Sequence, residues 1–194
     1  MARTKQFDPT EALAKAMYLF WRFGYENTST DLLMREMGVA KQSLYDTFGD
    51  KRSLYLKALA YYRHETNTGL RQIFDSESSV KRGFAKLLFG LSSETREQHE
   101  RGCLLMSANL ERDTGDTAIA DFLRDNQAEV ESIFVEALRR ALANGELSNR
   151  QEPVALARFF VVTIQGMRAM ARLHSDRRAL RQVAKVALAV FDKK

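Results

Sequence analysis

Proline occurs only twice in this chain of 194 residues, at Pro9 and Pro153, and both positions suit the start of a helix. A proline is tolerated at the first helical position because the N–H that it lacks has no partner there in any helix. Asp8 and Glu11 complete an N-terminal capping signature around the first proline. Runs of alternating β-branched residues, the usual sign of strands, are absent from the sequence. The chain is therefore predicted to be all-α, with about nine helices.

Glycines and the helical spacing of apolar residues set the predicted helix boundaries. The first helix starts at Pro9 and ends at Gly24, and a long fourth helix is capped by Asp50 and extends roughly to Phe74. Two short helices lie between them, and further helices follow the fourth. These other helices are predicted at 28–37, 41–48, 79–96, 103–112, 117–143, 153–174 and 177–191.

Composition places the chain among globular proteins and restricts its partners. Hydrophobic residues make up 45% and charged residues 28%, which is ordinary for a folded domain. The net charge of +5 permits nucleic-acid binding, although surface charge for solubility would explain it equally well. A single cysteine rules out an internal disulfide, the N-terminus has no signal-peptide core, and arginines interrupt the apolar stretch at 155–173. We therefore expect a cytoplasmic protein that does not enter a membrane.

The segment from Thr28 to Lys51 has the outline of a helix-turn-helix. Two short predicted helices are separated by a tight turn at 38–40, and apolar residues can hold them together. The remaining positions of the second short helix are small or polar, so this helix can enter a DNA major groove. Gln and Lys side chains can reach base edges there, and Ser and Tyr can reach phosphates. The outline alone is also compatible with a purely structural pair of helices.

The residues themselves are more specific than this outline. The segment from Gly24 to Leu59 closely resembles the DNA-binding domain of the TetR family of repressors, whereas the rest of the chain resembles that family only in helix number and order. The resemblance implies a homodimer that binds an inverted-repeat operator on double-stranded DNA and is released by a small-molecule inducer. The matching positions are Gly24-Tyr25, Thr28-Ser29, Gly38-Val39, Leu44-Tyr45, Phe48 and Lys51.

The resemblance also implies roles for individual residues. Thr28 and Ser29 would contact phosphate at a helix N-terminus, where the helix dipole favours an anion. Asp46 departs from the family, which often has a histidine there, and its carboxylate would repel phosphate. Arg3 and Lys5 are either a short arm that contacts DNA or a disordered end. The base-facing residues would be Lys41, Gln42 and Ser43, and the other phosphate contacts would be Tyr45 and Lys51.

The larger C-terminal part is predicted to bind the ligand and to form the dimer. The predicted domains are 1–57, a three-helix DNA-binding domain, and 58–194, a helical ligand-binding and dimerisation domain. The helix from Pro153 carries two apolar stripes, one with Phe160 and one with Val162, and so needs two partners. A second copy of the chain can supply one of them. The predicted dimer contacts are Leu156, Phe160, Ile164, Met167, Val183 and Ala187.

An apolar pocket in the middle helices is expected to hold the inducer. Cys103 opens an apolar run at a predicted helix start, where a thiol reacts more readily with electrophiles and oxidants. Plain packing of this cysteine is the favoured interpretation, and sensing, as in some TetR-family regulators, is the alternative. The pocket candidates are Tyr62, Phe84, Leu88, Cys103, Met106, Phe134 and Met167.

The sequence has no motif for catalysis or for a cofactor. His64, His99 and His174 stand far apart, and the ten glycines form no phosphate-binding loop or nucleophile elbow. We therefore expect no metal, no cofactor and no enzymatic activity. The alternative function is a helical protein-interaction adaptor that no longer binds DNA. The grouping of polar and basic side chains on the second short helix argues against an adaptor, because an adaptor does not need them together.

Overall fold

The computed structural model describes residues 7–148 and 150–192, so Arg3 and Lys5 lie outside the described part. Within these ranges the chain forms ten α-helices and a 3-10 helix at Ala189–Phe191, which confirms the all-α prediction. The helices are α1 (Pro9–Asn27), α2 (Thr30–Met37), α3 (Lys41–Phe48), α4 (Lys51–Ser76), α5 (Val80–Ser93), α6 (Arg96–Arg101), α7 (Leu104–Glu111), α8 (Thr117–Ala143), α9 (Pro153–Leu173) and α10 (Arg177–Leu188).

Both prolines stand at helix starts, as predicted, and a carboxylate precedes each of them. The side chain of Asp8 accepts hydrogen bonds from two N–H groups in the first turn of α1, the closer at 2.7 Å. Glu152 accepts two such bonds at the start of α9, at 2.9 and 2.6 Å. These carboxylates satisfy N–H groups for which the first helical turn has no internal partner.

Two differences from the predicted helices stand out. The predicted helix at 79–96 stops at Ser93, because Glu94 leaves the helical conformation and Thr95 then caps a separate helix, α6, that was not predicted. α1 continues beyond Gly24, but this glycine interrupts the helix with φ 79° and ψ 172°. That backbone conformation is open almost only to glycine, so the predicted break at Gly24 is present, and a short segment beyond it continues to Asn27.

The described residues pack as two compact units, and α4 and α8 each belong to both. The domain boundary after residue 57 stays a prediction, and in the packing of the described residues the chain returns to the first unit for α7. Leu104, Leu105 and Ala108 of α7 are buried in the same core as α1. The first unit consists of 7–65 and 103–123, and the second of 66–102, 124–148 and 150–192.

Aromatic residues of α1 and α4 form much of the core of the first unit. The ring centroids of Phe20 and Tyr55 lie 4.9 Å apart, and those of Tyr25 and Tyr55 lie 4.8 Å apart. Burial raises the pKa of Tyr55 well above its ordinary value, so this phenol stays neutral. Trp21, the single tryptophan of the chain, packs edge-on against Tyr62 at 5.0 Å. Its fluorescence therefore reports on the folding of the first unit.

α9 contributes one face to the core of the second unit. By length and composition it is also the one helix in the described ranges that is long and apolar enough to cross a membrane. Here one face of the helix packs into a protein core: Phe160 stacks on Phe84 of α5, with 3.9 Å between the ring centroids. Phe134 of α8 packs against Phe84 at 5.2 Å. One apolar stripe of α9 is thus covered by its own unit.

Candidate nucleic-acid interface

The turn between α2 and α3 fixes the two helices against each other. Gly38 ends α2 in the left-handed conformation, at φ 70° and ψ 33°, which glycine adopts without steric cost. The N–H of Val39 then donates to the carbonyl of Met34 at 3.1 Å. The apolar side chains on both sides of this turn are buried, so the polar face of α3 is left pointing outwards. These buried residues are Leu33, Met37, Val39, Leu44 and Phe48.

The structure brings four polar residues together on the outer face of α3. Lys41, Gln42, Tyr45 and Asp46 are exposed, and positions three and four apart on a helix share a face. Tyr45 keeps 41% of its surface exposed although it is aromatic. Ser43 is half-buried at the edge of this face. The side-chain amide of Gln42 donates a hydrogen bond to Asp46 at 2.8 Å.

Thr28 and Ser29, both predicted to contact phosphate, have different environments. Ser29 is exposed and caps α2, because its hydroxyl accepts a hydrogen bond from the N–H of Leu32 at 3.1 Å. Thr28 is fully buried, and its hydroxyl donates to the carbonyl of Gly24 at 2.6 Å. Ser29 therefore presents its hydroxyl at the surface, whereas the hydroxyl of Thr28 is engaged inside the protein.

Lys51 begins α4 next to α3 in the chain. Its ammonium group lies over the ring of Tyr25, 4.3 Å from the ring centroid, which is a cation–π distance. Asp50 precedes it and accepts a hydrogen bond from the N–H of Ser53 at 2.7 Å. Hydrogen bonds from Ser53 hold the pKa of Asp50 below its ordinary value. The start of α4 thus carries a lysine held by an aromatic ring.

The corner between α7 and α8 holds this region in a way that sequence reasoning missed. The carboxylate of Glu111 accepts a hydrogen bond from the backbone N–H of Tyr25 at 2.9 Å. Arg52 forms an ion pair with Asp116 at 2.7 Å, and the hydrogen bond from Arg52 lowers the pKa of Asp116. The first pair is separated by 86 residues in sequence and the second by 64, so no local sequence pattern predicts either contact.

The residues predicted to line a pocket do not fall into one cluster. Phe84, Leu88, Phe134 and Met167 belong to the core of the second unit. Tyr62 and Cys103 pack in the core of the first unit, and Met106 is half-buried on α7. Cys103 directly precedes α7, and its thiol is partly buried. Met167 also lines a cavity of about 10 Å³, which has room for no more than a water molecule.

The predicted dimer contacts differ in burial: some lie in the core of the second unit and others lie at its surface. Phe160, Met167 and Ala187 are buried within the unit, so they have no surface left for a second copy. Leu156 and Ile164 are half-buried, and Val183 is exposed. The physical reason is that Phe84 and its aromatic neighbours already cover the Phe160 stripe. The large apolar side chains exposed on α9 and α10 are Phe159, Val162, Met170, Leu173, Val183 and Val186.

Comparison with known proteins bears on both parts of the chain. A family model described as bacterial regulatory proteins of the tetR family matches residues 12–58. A second model, described as a tetracyclin repressor-like C-terminal domain, matches residues 87–187, which is more than half of the chain. The chain belongs to the TetR family. Within this family it is a helix-turn-helix transcriptional regulator, and this membership confirms that it is not an enzyme.

Individual TetR-family proteins are similar over nearly the whole chain. The HTH-type transcriptional repressor ComR of Escherichia coli (strain K12) is 32% identical over 198 residues, covering 97% of this chain and 91% of ComR. The uncharacterized regulator YezE of Bacillus subtilis (strain 168) is 29% identical over 194 residues, covering 99% of this chain and all of YezE. The regulator CifR, solved as a cysteine mutant with a 26bp operator DNA, is 32% identical with a TM-score of 0.83, over 96% of this chain and 97% of CifR.

Proposed function

We propose that this TetR-family regulator is a repressor that binds an inverted-repeat operator as a homodimer and leaves it when a small molecule binds. The observation that carries this proposal is the exposed polar face of α3, held outwards by the buried contacts between α2 and α3. A relative with 32% identity, CifR, was solved with double-stranded operator DNA. Such a regulator would meet its operator in the cytoplasm.

The roles of the DNA-facing residues follow from their positions. Lys41, Gln42 and Ser43 lie at the start of α3, where side chains of a recognition helix reach base edges. The proposed phosphate contacts are Tyr45, Ser29 and Lys51, because hydroxyl and ammonium groups bind phosphate oxygens. Such contacts position a protein on DNA without reading its sequence. Thr28 is assigned a supporting role in place of the phosphate contact expected from the sequence, because its buried hydroxyl is already bonded.

The test of DNA binding compares two lysines. Lys51→Ala should weaken binding to operator and unrelated DNA alike and reduce the slope of log K against log salt by about one unit. Lys86→Ala is the matched control: it removes a lysine of the second unit that pairs with Glu77 at 3.0 Å. Fluorescence anisotropy with the DNA upstream of the gene measures both. Wild type that shows no salt-dependent DNA binding would refute the proposal and favour the adaptor.

The exposed apolar stripe of α9 and α10 is the proposed dimer surface, in place of the Phe160 stripe. Val162 is 67% exposed and Val186 is 74% exposed, so these two apolar side chains take little part in the core of their own unit. Two copies joined by a two-fold axis would bury this stripe, and their α3 helices would read half-sites spaced by multiples of about 34–36 Å. The operator should therefore be an inverted repeat.

This dimer surface can be tested without damage to the core. Val186→Glu places a charge on the exposed stripe, where it would be buried without a partner in the dimer, so sedimentation should detect a folded monomer. Ser132→Glu adds the same charge at an exposed position of α8 and should leave the dimer intact. A Val186→Glu protein that stays dimeric would place the interface elsewhere.

Release requires an inducer that prefers the conformation with low DNA affinity. The core of the second unit is the proposed site, and the inducer would have to open it, because the cavity beside Met167 is only about 10 Å³. α4 and α8 run through both units and can carry the change. A preference of about 1–3 kcal/mol is ordinary for such coupling.

An electrophilic inducer is the second possibility, because Cys103 directly precedes α7, and Glu111 at the end of α7 holds Tyr25. A change at this thiol could therefore reach the DNA-binding helices through α7. Cys103→Ser and wild type should be compared for operator release by electrophiles and by neutral aromatic compounds. Release of both proteins by the same compounds would exclude Cys103 and favour a reversible ligand.

A further inference from the structure

The hydrogen bond between Gln42 and Asp46 determines which atoms of Gln42 are offered to DNA. Asp46 is exposed, and a carboxylate can only accept hydrogen bonds. The end of the Gln42 amide that faces Asp46 at 2.8 Å must therefore be the nitrogen, which chemistry alone assigns. The amide oxygen lies at the other end of the planar group. A side chain that would otherwise turn freely is held in one orientation.

This orientation leaves one acceptor and one donor side by side on Gln42. The amide nitrogen carries two hydrogens, and Asp46 takes one of them. The oxygen and the second N–H are the pair that fits adenine, whose major-groove edge offers the N6 amino group and the N7 acceptor. Guanine offers two acceptors, O6 and N7, which need two donors. The amide held by Asp46 has only one donor to spare.

The charge of Asp46 acts in the same direction. Its carboxylate lies on the same exposed face of α3 as Gln42, four residues further along the helix. In a bidentate contact the N7 acceptor of either purine lies towards Asp46, and the next atom along the edge is the O6 acceptor in guanine but the N6 amino group in adenine, so the negative charge disfavours guanine more than adenine. The charge also opposes the phosphate backbone, so Asp46 lowers affinity for all DNA while it raises the difference between bases.

On the basis of the proposed DNA-binding function, we propose that Asp46 is a positioning residue that makes Gln42 select adenine over guanine at one base pair of each half-site. Asp46 itself contacts no base in this arrangement. Asp46 stands where the family often has a histidine. A histidine at this position would not supply the carboxylate that orients the Gln42 amide. A good bidentate contact is worth about 5- to 150-fold in base discrimination.

The experiment measures binding of the full-length protein to a library of operators randomised in the half-sites. Wild type should prefer adenine over guanine at one position per half-site, and Gln42→Ala should lose this preference. Asp46→Ala should reduce the preference to about twofold or less while binding to unrelated DNA becomes tighter, because a negative charge is removed. Asp46→Glu keeps the acceptor and the charge and should retain most of the preference.

Asp46→Asn separates positioning from simple helix stabilisation. An asparagine can still bond to Gln42, but its amide can offer either oxygen or nitrogen, so Gln42 could turn over. Positioning therefore predicts a relaxed preference for Asp46→Asn, whereas a merely structural contact predicts no change. Glu11→Ala, which removes an exposed carboxylate paired with Lys15 at 2.9 Å on α1, is the control and should keep the wild-type preference.

The outcomes distinguish this inference from the function on which it rests. Trp21 fluorescence and circular dichroism show that each variant is folded before its binding is measured. A wild type without sequence-specific binding would overturn both the proposed function and the role of Asp46. A wild type with a Gln42-dependent preference that Asp46→Ala and Asp46→Asn leave unchanged would overturn the role of Asp46 alone.

Discussion

Thr28 should stabilise the first unit instead of contacting DNA, and two substitutions separate these roles. Its side chain is fully buried, and its hydroxyl donates to the carbonyl of Gly24 at 2.6 Å. Thr28→Val keeps the shape and removes the donor, and a buried acceptor that loses its bond costs about 1–3 kcal/mol. Thr28→Ser keeps the donor and removes one methyl group, which costs about 0.5–1.5 kcal/mol.

Urea unfolding followed by the fluorescence of Trp21 measures these differences, because this tryptophan packs in the first unit. With a slope of about 2 kcal/mol per molar urea, a loss of about 2 kcal/mol lowers the midpoint by about 1 M. Operator affinity of the folded Thr28→Val protein should equal that of wild type. Ser29→Ala should instead lose the cap, at about 1 kcal/mol, and weaken operator binding.

The result that would refute this reasoning is specific. A Thr28→Val protein with an unchanged urea midpoint and weaker operator binding would show that the hydroxyl acts on DNA and not on the carbonyl of Gly24. The Thr28→Ser protein then serves as the matched control, because it retains the hydroxyl and should bind the operator normally under either interpretation.

Two further predictions concern the contacts around α7. Gly24→Ala should destabilise the protein by about 1–3 kcal/mol, because the glycine has φ 79° and an added Cβ would lie 2.8 Å from the Glu111 carboxylate. Gly90→Ala is the control, because the space around Gly90 is open, and it should not lower the melting temperature. A Gly24→Ala protein with the melting temperature of wild type would contradict the proposed strain. The hydrogen bond from Arg52 lowers the pKa of Asp116, so its stabilising effect should be complete above about pH 4 and lost as the pH falls through the lowered pKa. Asp116→Asn lacks this stabilisation, so acid unfolding of this variant should depend less on pH than that of wild type. An acid transition identical to that of wild type would argue against a stabilising role for Asp116.

The helix-turn-helix could be predicted from the sequence because its determinants are local. Gly38 breaks α2 within one turn, and the buried residues around it are separated by helical spacing over a short segment. The role of α7 could not be predicted in this way. Glu111 bonds to Tyr25 across 86 residues, and nothing near either residue in the sequence specifies the other. Long-range pairs of this kind depend on how already formed helices pack.

The two stripes of α9 show where periodicity stops being informative. A helix with two apolar faces needs two partners, and the core of the second unit supplies one of them. Periodicity alone does not say which face meets the chain's own core, since Phe160 and Val162 both continue a helical repeat. What decides the matter is the ring of Phe84 on another helix, which stacks on Phe160 at 3.9 Å and leaves Val162 with 67% of its surface exposed. Phe84 and its neighbours on other helices thus turn one stripe into core and leave the other as the surface that a second copy can cover.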